Sequence, residues 1–439
     1  MEATLARSGE ASPVKLGPRI YNLFPKLVGP IERWIEHLPR IAAMGFDWVY
    51  LNPFHETGFS GSLYAVKDHY RLNPIFRGDA KAGDDDLLRG FVEAAGRHGI
   101  AVMMDLVVNH TARDANLARE HPEWFAHEAD GSVRSPRAVD PDDPENVTVW
   151  TDLAELDYAP RPERAGIVAY FAGVVRHYAQ LGFRGFRCDA AYKVPGDVWG
   201  ELIAAVRPIR PDSLFAAETL GCRTEEVEQL GSAGFDFLFN SAKWWDFRSK
   251  WLLDQYEQLR RFAPSIAFAE SHDTPRLATE RGITDARTAE RAYRFAYGFA
   301  ALFSTGVMMT MGFETGARKA LNVVSTSPAD GEEPWIDLRA YIAAIHKVKV
   351  AQPAFNEEGP QNRLDLHAGR AVGLVRRTID GGHAAVTLLN PGELPVSIER
   401  ARVTAIAPHE VTPSIESAED TPEHFRLAPC SLRIFVSDR

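Results

Sequence analysis

Eight short apolar runs, separated by amphipathic stretches, set the frame within which this chain can fold. They are Arg19–Phe24, Trp48–Leu51, Ile100–Leu106, Phe183–Asp189, Ser213–Glu218, Phe235–Asn240, Ser265–Glu270 and Val307–Gly312. Each is short, apolar and often bounded by glycine or proline, as strands buried on both faces are. Between them, Ile31, Trp34, Ile35, Leu38 and Ile41 mark one helical face. Leu87, Leu88, Phe91, Val92 and Ala95 mark a second; Ile167, Tyr170, Phe171, Val174, Val175 and Tyr178 mark a third. Eight β/α alternations predict an α/β fold, a (β/α)8 TIM barrel. A doubly wound sheet is the alternative, but no glycine-rich phosphate loop follows the first strand.

The alternation is broken once. Residues 109–159 are rich in proline, aspartate and charge and show no helical period. A segment this long is a functional loop or a small inserted domain. Beyond residue 351 the helical pattern gives way to short runs, Ala371–Leu374, Ala384–Leu389, Val396–Ile398, Val403–Ile406 and Leu432–Val436, which predict a C-terminal antiparallel β-sandwich. The expected division is therefore a disordered N-terminus at 1–15, a barrel made of 16–108 and 160–351, an insertion at 109–159, and a β domain at 352–439.

The 439 residues exceed one ordinary core, and the net charge of −11 comes without any basic cluster. That argues against nucleic acid and anionic membrane surfaces as partners and suits a neutral ligand. Cys188, Cys222 and Cys430 lie far apart, so neither a disulfide scaffold nor a zinc cluster is expected. Residues 1–15 are polar, with no apolar stretch of signal-peptide length, and no run reaches bilayer-spanning length. A cytoplasmic protein is expected.

Four segments bearing carboxylates and histidines close these runs. They are Asp105-Leu-Val-Val-Asn109-His110, Gly185-Phe-Arg187-Cys-Asp189, Ala217-Glu218-Thr219 and Glu270-Ser-His272-Asp273-Thr274. In a barrel, strand C-terminal ends carry the active site. Cleaving a bond between sugars with retention needs a carboxylate nucleophile, a protonated carboxylic acid and groups that hold the ring. Asp189 and Glu218 can be that pair. Arg187, two residues before Asp189, shares its strand face and is expected to hold it ionised. The charge on Asp189, at roughly 5 Å, is expected to raise the pKa of Glu218. Taken singly, each segment also has a structural reading: an Arg–Asp pair at a strand end, an acid at a helix N-terminus, an N-cap before Thr274-Pro275.

Together, and in this order, the segments resemble the α-amylase family of retaining α-glycosidases and transglycosidases, glycoside hydrolase family 13. Tyr64-Ala-Val-Lys-Asp68-His-Tyr70, Asp152-Leu-Ala-Glu-Leu-Asp157-Tyr158 and Met311-Gly-Phe-Glu314-Thr-Gly add to the resemblance, which covers about residues 19–350. It implies that Asp189 is the nucleophile, Glu218 the general acid/base, and Asp273 the third catalytic carboxylate, acting on hydroxyls and ring shape. It further implies that His110 and His272 touch the innermost sugar and that Tyr64 is its stacking platform, with Asp68 and Arg187 in the substrate-binding set. Asp105 is implied to support Arg187. Typical members carry a lysine three residues after the nucleophile; here that position is Tyr192 and Lys193 follows. Asn109 is a calcium ligand in many members, so the resemblance allows calcium there, with Asp140-Pro-Asp-Asp143 contributing. No cofactor is required.

Within the family, Asp189-Ala-Ala-Tyr-Lys193-Val-Pro195-Gly-Asp-Val-Trp199 and His121-Pro-Glu-Trp-Phe125, followed by Asp130-Gly131, resemble the branch that elongates α-1,4-glucan from maltose 1-phosphate. That branch has Asn directly after its nucleophile, where this chain has Ala190, and it lacks the ordinary His-Asp pair kept here. The expected function is a retaining hydrolase or transglycosidase acting on an α-glucan or oligosaccharide. The alternatives are a maltosyltransferase using maltose 1-phosphate and a catalytically inactive barrel acting as a binding subunit. Trp244, Trp245, Phe247 and Trp251 form an aromatic cluster read either as outer sugar subsites or as core of the sixth helix region. Nothing in the sequence sets the oligomeric state.

Overall fold

The apolar runs become the staves of a closed barrel. In the computed structural model, which describes residues 16–139, 143, 145–413 and 419–438, they are β1 (Arg19–Leu23), β2 (Trp48–Leu51), β3 (Ala101–Leu106), β4 (Gly185–Cys188), β5 (Leu214–Ala217), β6 (Phe237–Phe239), β7 (Ser265–Phe268) and β8 (Gly306–Thr310). Neighbours pair in sequence order, all parallel, and β8 closes on β1 through Arg19↔Val307 to Asn22↔Thr310. The expected eightfold barrel is what forms. Residues 1–15, Asp140 and Asp142 lie outside the described residues.

The period of two sorts each strand into two faces. Ile20, Tyr50, Met103, Ala216, Phe239, Ile266 and Met308 fill the interior. Tyr21, Val49, Val102, Phe186, Phe215 and Val307 face the helices outside. The first helix, Ile31–Ala43, buries Ile31, Trp34, Leu38 and Ile41. Ile35, expected on that face, is 37% exposed, because it sits at the edge of the stripe. Asp84–Arg97 buries Leu88, Phe91, Ala94 and Ala95, and Glu163–Leu181 buries Ile167, Phe171, Val174, Val175 and Tyr178. No helix among the described residues is long and apolar enough to cross a membrane.

Between β3 and the helix Glu163–Leu181 the chain makes small antiparallel pairs. His110–Ala112 pairs with Leu153–Glu155, and Arg137–Val139 pairs with Val147–Val149. A further pair, His55–Thr57 with Val66–Leu72, carries the turn that presents Tyr64. At the C-terminus a five-stranded antiparallel sheet runs in the order Gln361–Leu364, Val372–Arg377, Ala384–Asn390, Ser431–Val436, His409–Glu410. Val396–Glu399 pairs with His424–Leu427 as a second layer, and Val386, Leu388, Ile398, Phe425, Leu427 and Phe435 share the core. The run Val403–Ile406 is not the expected strand. It begins in a short helix, Arg400–Thr404. Val403 and Ala407 are both buried, and their spacing of four residues is a helical one.

The β domain is joined to the barrel by buried polar contacts. Arg376, 1% exposed, donates to the Phe303 carbonyl at 2.6 Å, to Thr305 Oγ1 at 2.7 Å and to Glu358 Oε2 at 3.2 Å. Glu358 also accepts from the Ser265 and Thr305 N–H groups at 3.0 and 3.1 Å. Lys349 is fully buried and gives its ammonium to three carbonyls, Ala301, Ser304 and Phe355, at 2.7 to 2.9 Å. Removing one member of a buried ion pair leaves its partner uncompensated. Glu358→Leu should therefore cost about 3–5 kcal/mol, read as a lower urea midpoint.

Buried histidines add a dependence on pH. Burial lowers His69 to about 4, and it lowers His346 to about 3. His55, with neither ring nitrogen hydrogen-bonded, is pushed well below its ordinary value by burial and then by His69 and His177. These rings are neutral when folded but take up protons near pH 6.5 when unfolded. The unfolded chain thus binds more protons below that pH. Stability is fully present above about pH 6.5 and falls as the pH drops toward 4, by roughly 3 kcal/mol through His69 alone. Urea unfolding at pH 7.5 and 5 checks the slope. His69→Phe should flatten it.

Candidate active site

The ladder between β3, β4 and β5 places the reacting carboxyls. Arg187 is in register with Asp105 on one side and Ala216 on the other. Pairing continues past the strand ends: the Asp189 N–H donates to the Leu106 carbonyl and the Glu218 N–H to the Cys188 carbonyl, both at 3.1 Å. Asp189 and Glu218 therefore sit side by side on the barrel rim. The next residue, Ala190, has φ 41°, left-handed backbone that a residue with a Cβ adopts at a cost. That turn aims its N–H at Glu218 Oε2, 2.8 Å away.

Arg187 is the hub. Its Nη1 lies 2.9 and 3.1 Å from the two oxygens of Asp105 and 2.6 Å from Asp189 Oδ1. Its Nη2 lies 3.0 Å from Glu218 Oε1. One cation thus faces three carboxylates: Asp105 is 0% exposed and Asp189 8%, while the Glu218 side chain is 17% exposed. The excess of negative charge favours a retained proton within the cluster. The upward shift falls on Asp189, where burial and the Glu218 charge outweigh Arg187. Burial thus works against the expected hold of Arg187 on an ionised Asp189.

Across the mouth, His272 Nε2 lies 2.6 Å from the Tyr64 hydroxyl and 3.0 Å from Asp273 Oδ2. Asp273 has a side chain 59% exposed toward the cleft. The cleft walls would raise its carboxyl, but His272 and Arg187 hold it below the ordinary value. The Tyr64 ring lies parallel to that of His272, 6° apart, with its hydroxyl 2.6 Å from Asp105 Oδ2. His110 is 7% exposed, lowered by burial to about 4 and so neutral, with Nε2 free of any protein partner.

The structure therefore brings Asp105, Arg187, Asp189, Glu218, Tyr64, His272 and Asp273 into one cluster. It does not bring Asp68 there: that carboxylate accepts the Tyr70 N–H at 2.8 Å and the Asn116 amide at 3.4 Å. Lys193 is exposed above the Tyr192 ring and lines a groove of about 690 Å³ with Tyr192, Leu220, Arg223 and Val139. Asn109 is buried, its amide 3.4 Å from His110 Nδ1. Among the described residues no three His, Cys, Asp or Glu side chains gather to hold a metal. Calcium takes six to eight oxygens, backbone and amide carbonyls among them; Asn109 would offer one. Asp140 and Asp142, offered with it, lie outside the described residues. The aromatic cluster divides: Trp245 and Phe247 pack on Phe299, while Trp244 is 48% exposed.

Two supports went unread in the sequence. Tyr50 reaches up from β2 to Asp105 Oδ2 at 2.5 Å; its inward position on the strand was the signal available. Arg276, 2% exposed, pairs with Glu270 at 2.6 Å and donates to the Lys319 and Met311 carbonyls, tying the turn of His272 and Asp273 to the loop after β8.

Arg187→Met should leave three carboxylates facing one another and cost about 3–5 kcal/mol at pH 7. Without the cation the crowded negative charges repel one another, so the stability deficit shrinks as acid neutralises them. Urea unfolding of mutant against wild type at pH 7 and 5 should show the difference narrowing.

A family model described as the glucanotransferase domain of glycogen debranching enzyme matches residues 17–129. The chain is 29% identical over 399 residues to the alpha-1,4-glucan:maltose-1-phosphate maltosyltransferase of Burkholderia pseudomallei (strain K96243), covering 89% of this chain and 34% of that protein. It thus spans about a third of that relative's length. An alpha-amylase from Lactobacillus plantarum superposes with a TM-score of 0.73 at 21% identity, covering 96% of this chain and 99% of the other. An alpha-amylase from H. orenii does so with a TM-score of 0.74 at 18% identity, covering 97% and 100%. The structural likenesses establish the fold. Related in sequence to the maltosyltransferases and in fold to the amylases, the chain bears out the resemblance to the α-amylase family that its motifs carry.

Proposed function

We propose that this protein is a retaining hydrolase or transglycosidase acting on α-glucosidic bonds of an α-glucan or oligosaccharide. The observation that carries the reading is one guanidinium, Arg187, holding Asp189 and Glu218 at adjacent strand ends while the exposed Asp273 faces the same cleft. In the proposed reaction Asp189 attacks the anomeric carbon as Glu218 gives its proton to the departing oxygen. The bond to the leaving sugar breaks and a glycosyl ester on Asp189 forms. Glu218 then takes a proton from water or an acceptor hydroxyl, which displaces Asp189 and restores the α configuration. Tyr64, His110, His272 and Asp273 hold the ring. The groove beside Tyr192 and Lys193 receives the leaving or accepting sugar. No step needs a cofactor, and the thiols of Cys188 and Cys222 fit work in a reducing compartment such as the cytoplasm.

A second reading, transfer from maltose 1-phosphate, is favoured by the maltosyltransferase relatives and by the exposed Lys193 and Arg223 in that groove. Ala190 offers no side-chain donor to a phosphate. Product analysis with maltooligosaccharides and maltose 1-phosphate as separate donors divides the two. A third reading, an inactive binding subunit, asks for lost carboxylates, and all three are present.

Asp189→Asn should lower turnover by several orders of magnitude with the fold intact by circular dichroism. A folded mutant with near wild-type rates would end the nucleophile assignment. Glu218→Gln should slow maltooligosaccharides far more than α-glucosyl fluoride, whose leaving group needs little protonation. Equal losses on both donors would make Glu218 structural. NMR of the first product should show the α-anomer.

A further inference from the structure

Beneath the carboxyl cluster, at the floor of the cleft, the interior of the barrel holds a hydroxyl that the proposed reaction does not use. Tyr50 is 1% exposed and sits among the apolar interior residues, one layer below Asp105. Its phenol is 2.5 Å from Asp105 Oδ2. The same oxygen takes the Tyr64 hydroxyl at 2.6 Å and Arg187 Nη1 at 3.1 Å. Asn52 Nδ2 braces the Tyr64 hydroxyl at 3.1 Å and is itself fixed through Asn22 Nδ2 to Asn52 Oδ1 at 2.8 Å.

We propose that Tyr50 is a positioning residue: by donating to Asp105 from below, it leaves the Arg187 guanidinium free to reach upward to Asp189 and Glu218. This rests on the functional reading above for its kinetic consequence but not for its geometry. Asp105 is a fully buried carboxylate, and it competes with Asp189 for the same Nη1. Each donor that satisfies Asp105 weakens its claim on that cation. Tyr50 cannot touch substrate, because Asp105 and Arg187 lie between it and the cleft. Facing the carboxyl pair are Arg187 on β4, Asp105 on β3, Tyr64 from the loop after β2, Tyr192 after β4, and His272 and Asp273 after β7. Among the described residues only Tyr50 meets Asp105 from the apolar interior side.

The test is Tyr50→Phe, with site-specific replacement of Tyr50 by 3-fluorotyrosine, a stronger hydrogen-bond donor of nearly the same size. Losing the hydroxyl draws Arg187 toward Asp105 and away from Asp189, whose carboxyl then keeps its proton to higher pH. The acidic limb of kcat/KM for α-glucosyl fluoride should then move up by roughly 0.5 to 1 pH unit. The fluorotyrosine protein should move it down, and KM should change by no more than about twofold in either. Independently of turnover, ¹³C-carboxyl signals assigned with Asp189→Asn and Glu218→Gln should show the same opposite displacements. Limbs and carboxyl titrations that stay where they are in wild type, with only a lower melting temperature, would overturn the proposal. If wild type turns over no α-glucosyl donor, the functional reading fails while the carboxyl titration still decides the role of Tyr50. If Tyr50→Phe does not fold, the fluorotyrosine protein decides by the direction of its shift.

Discussion

The structure turns on one shared cation. Arg187 pairs with Asp105 on the neighbouring strand, with Asp189 on its own, and with Glu218 across the next, so three strands meet at a single guanidinium. The barrel supplies what such an arrangement needs: parallel strands in register, inward side chains on alternate residues, and an apolar floor that keeps water out. In water the same charges would be largely screened. Held in a low-dielectric pocket, they act on one another far more strongly, and burial together with the Glu218 charge pushes the Asp189 carboxyl up.

Much of this was legible in the residues. Asp189 and Glu218 follow apolar runs whose ends had to face the loops, and the two-residue step from Arg187 put cation and carboxylate on one face. The eight staves emerged within a residue or two because β-branched and aromatic runs bounded by turns leave few other options. Three things were not legible. Tyr50 reads as one more aromatic in a buried strand, since periodicity reports that a side chain points inward but not what lies a layer above it. Arg276 and Glu270 are a pair only after two loops have folded toward each other. Val403 reads as strand because a four-residue apolar run does not distinguish the two periods. The placement of Lys193 and Asp68 outside the carboxyl cluster depends on loop course, which residue type does not set.

The two packing units differ in how they are bound to one another. Inside the barrel, apolar layers do most of the work. At the junction with the C-terminal sheet an apolar seam, with Leu374, Leu389, Leu432 and Ile434 in the same core as the barrel's helices, is joined by buried charges: Arg376 and Glu358 clasp the N-terminal ends of β7 and β8 at Ser265 and Thr305, while Lys349 caps carbonyls at the end of the preceding helix. Polar contacts of this kind are directional, so they specify an orientation that an apolar seam of equal area would leave free to slide. The orientation matters because β7 and β8 are the strands whose opposite ends carry His272, Asp273 and the loop clamped by Arg276.

The left-handed backbone at Ala190 joins two places that a contact diagram would keep apart. Its N–H holds the carboxyl of Glu218, and the same turn continues within three residues to Tyr192 and Lys193, which wall the groove. In the proposed reaction, the aim of the acid and the wall of the groove therefore depend on one short stretch of backbone, residues 190–193.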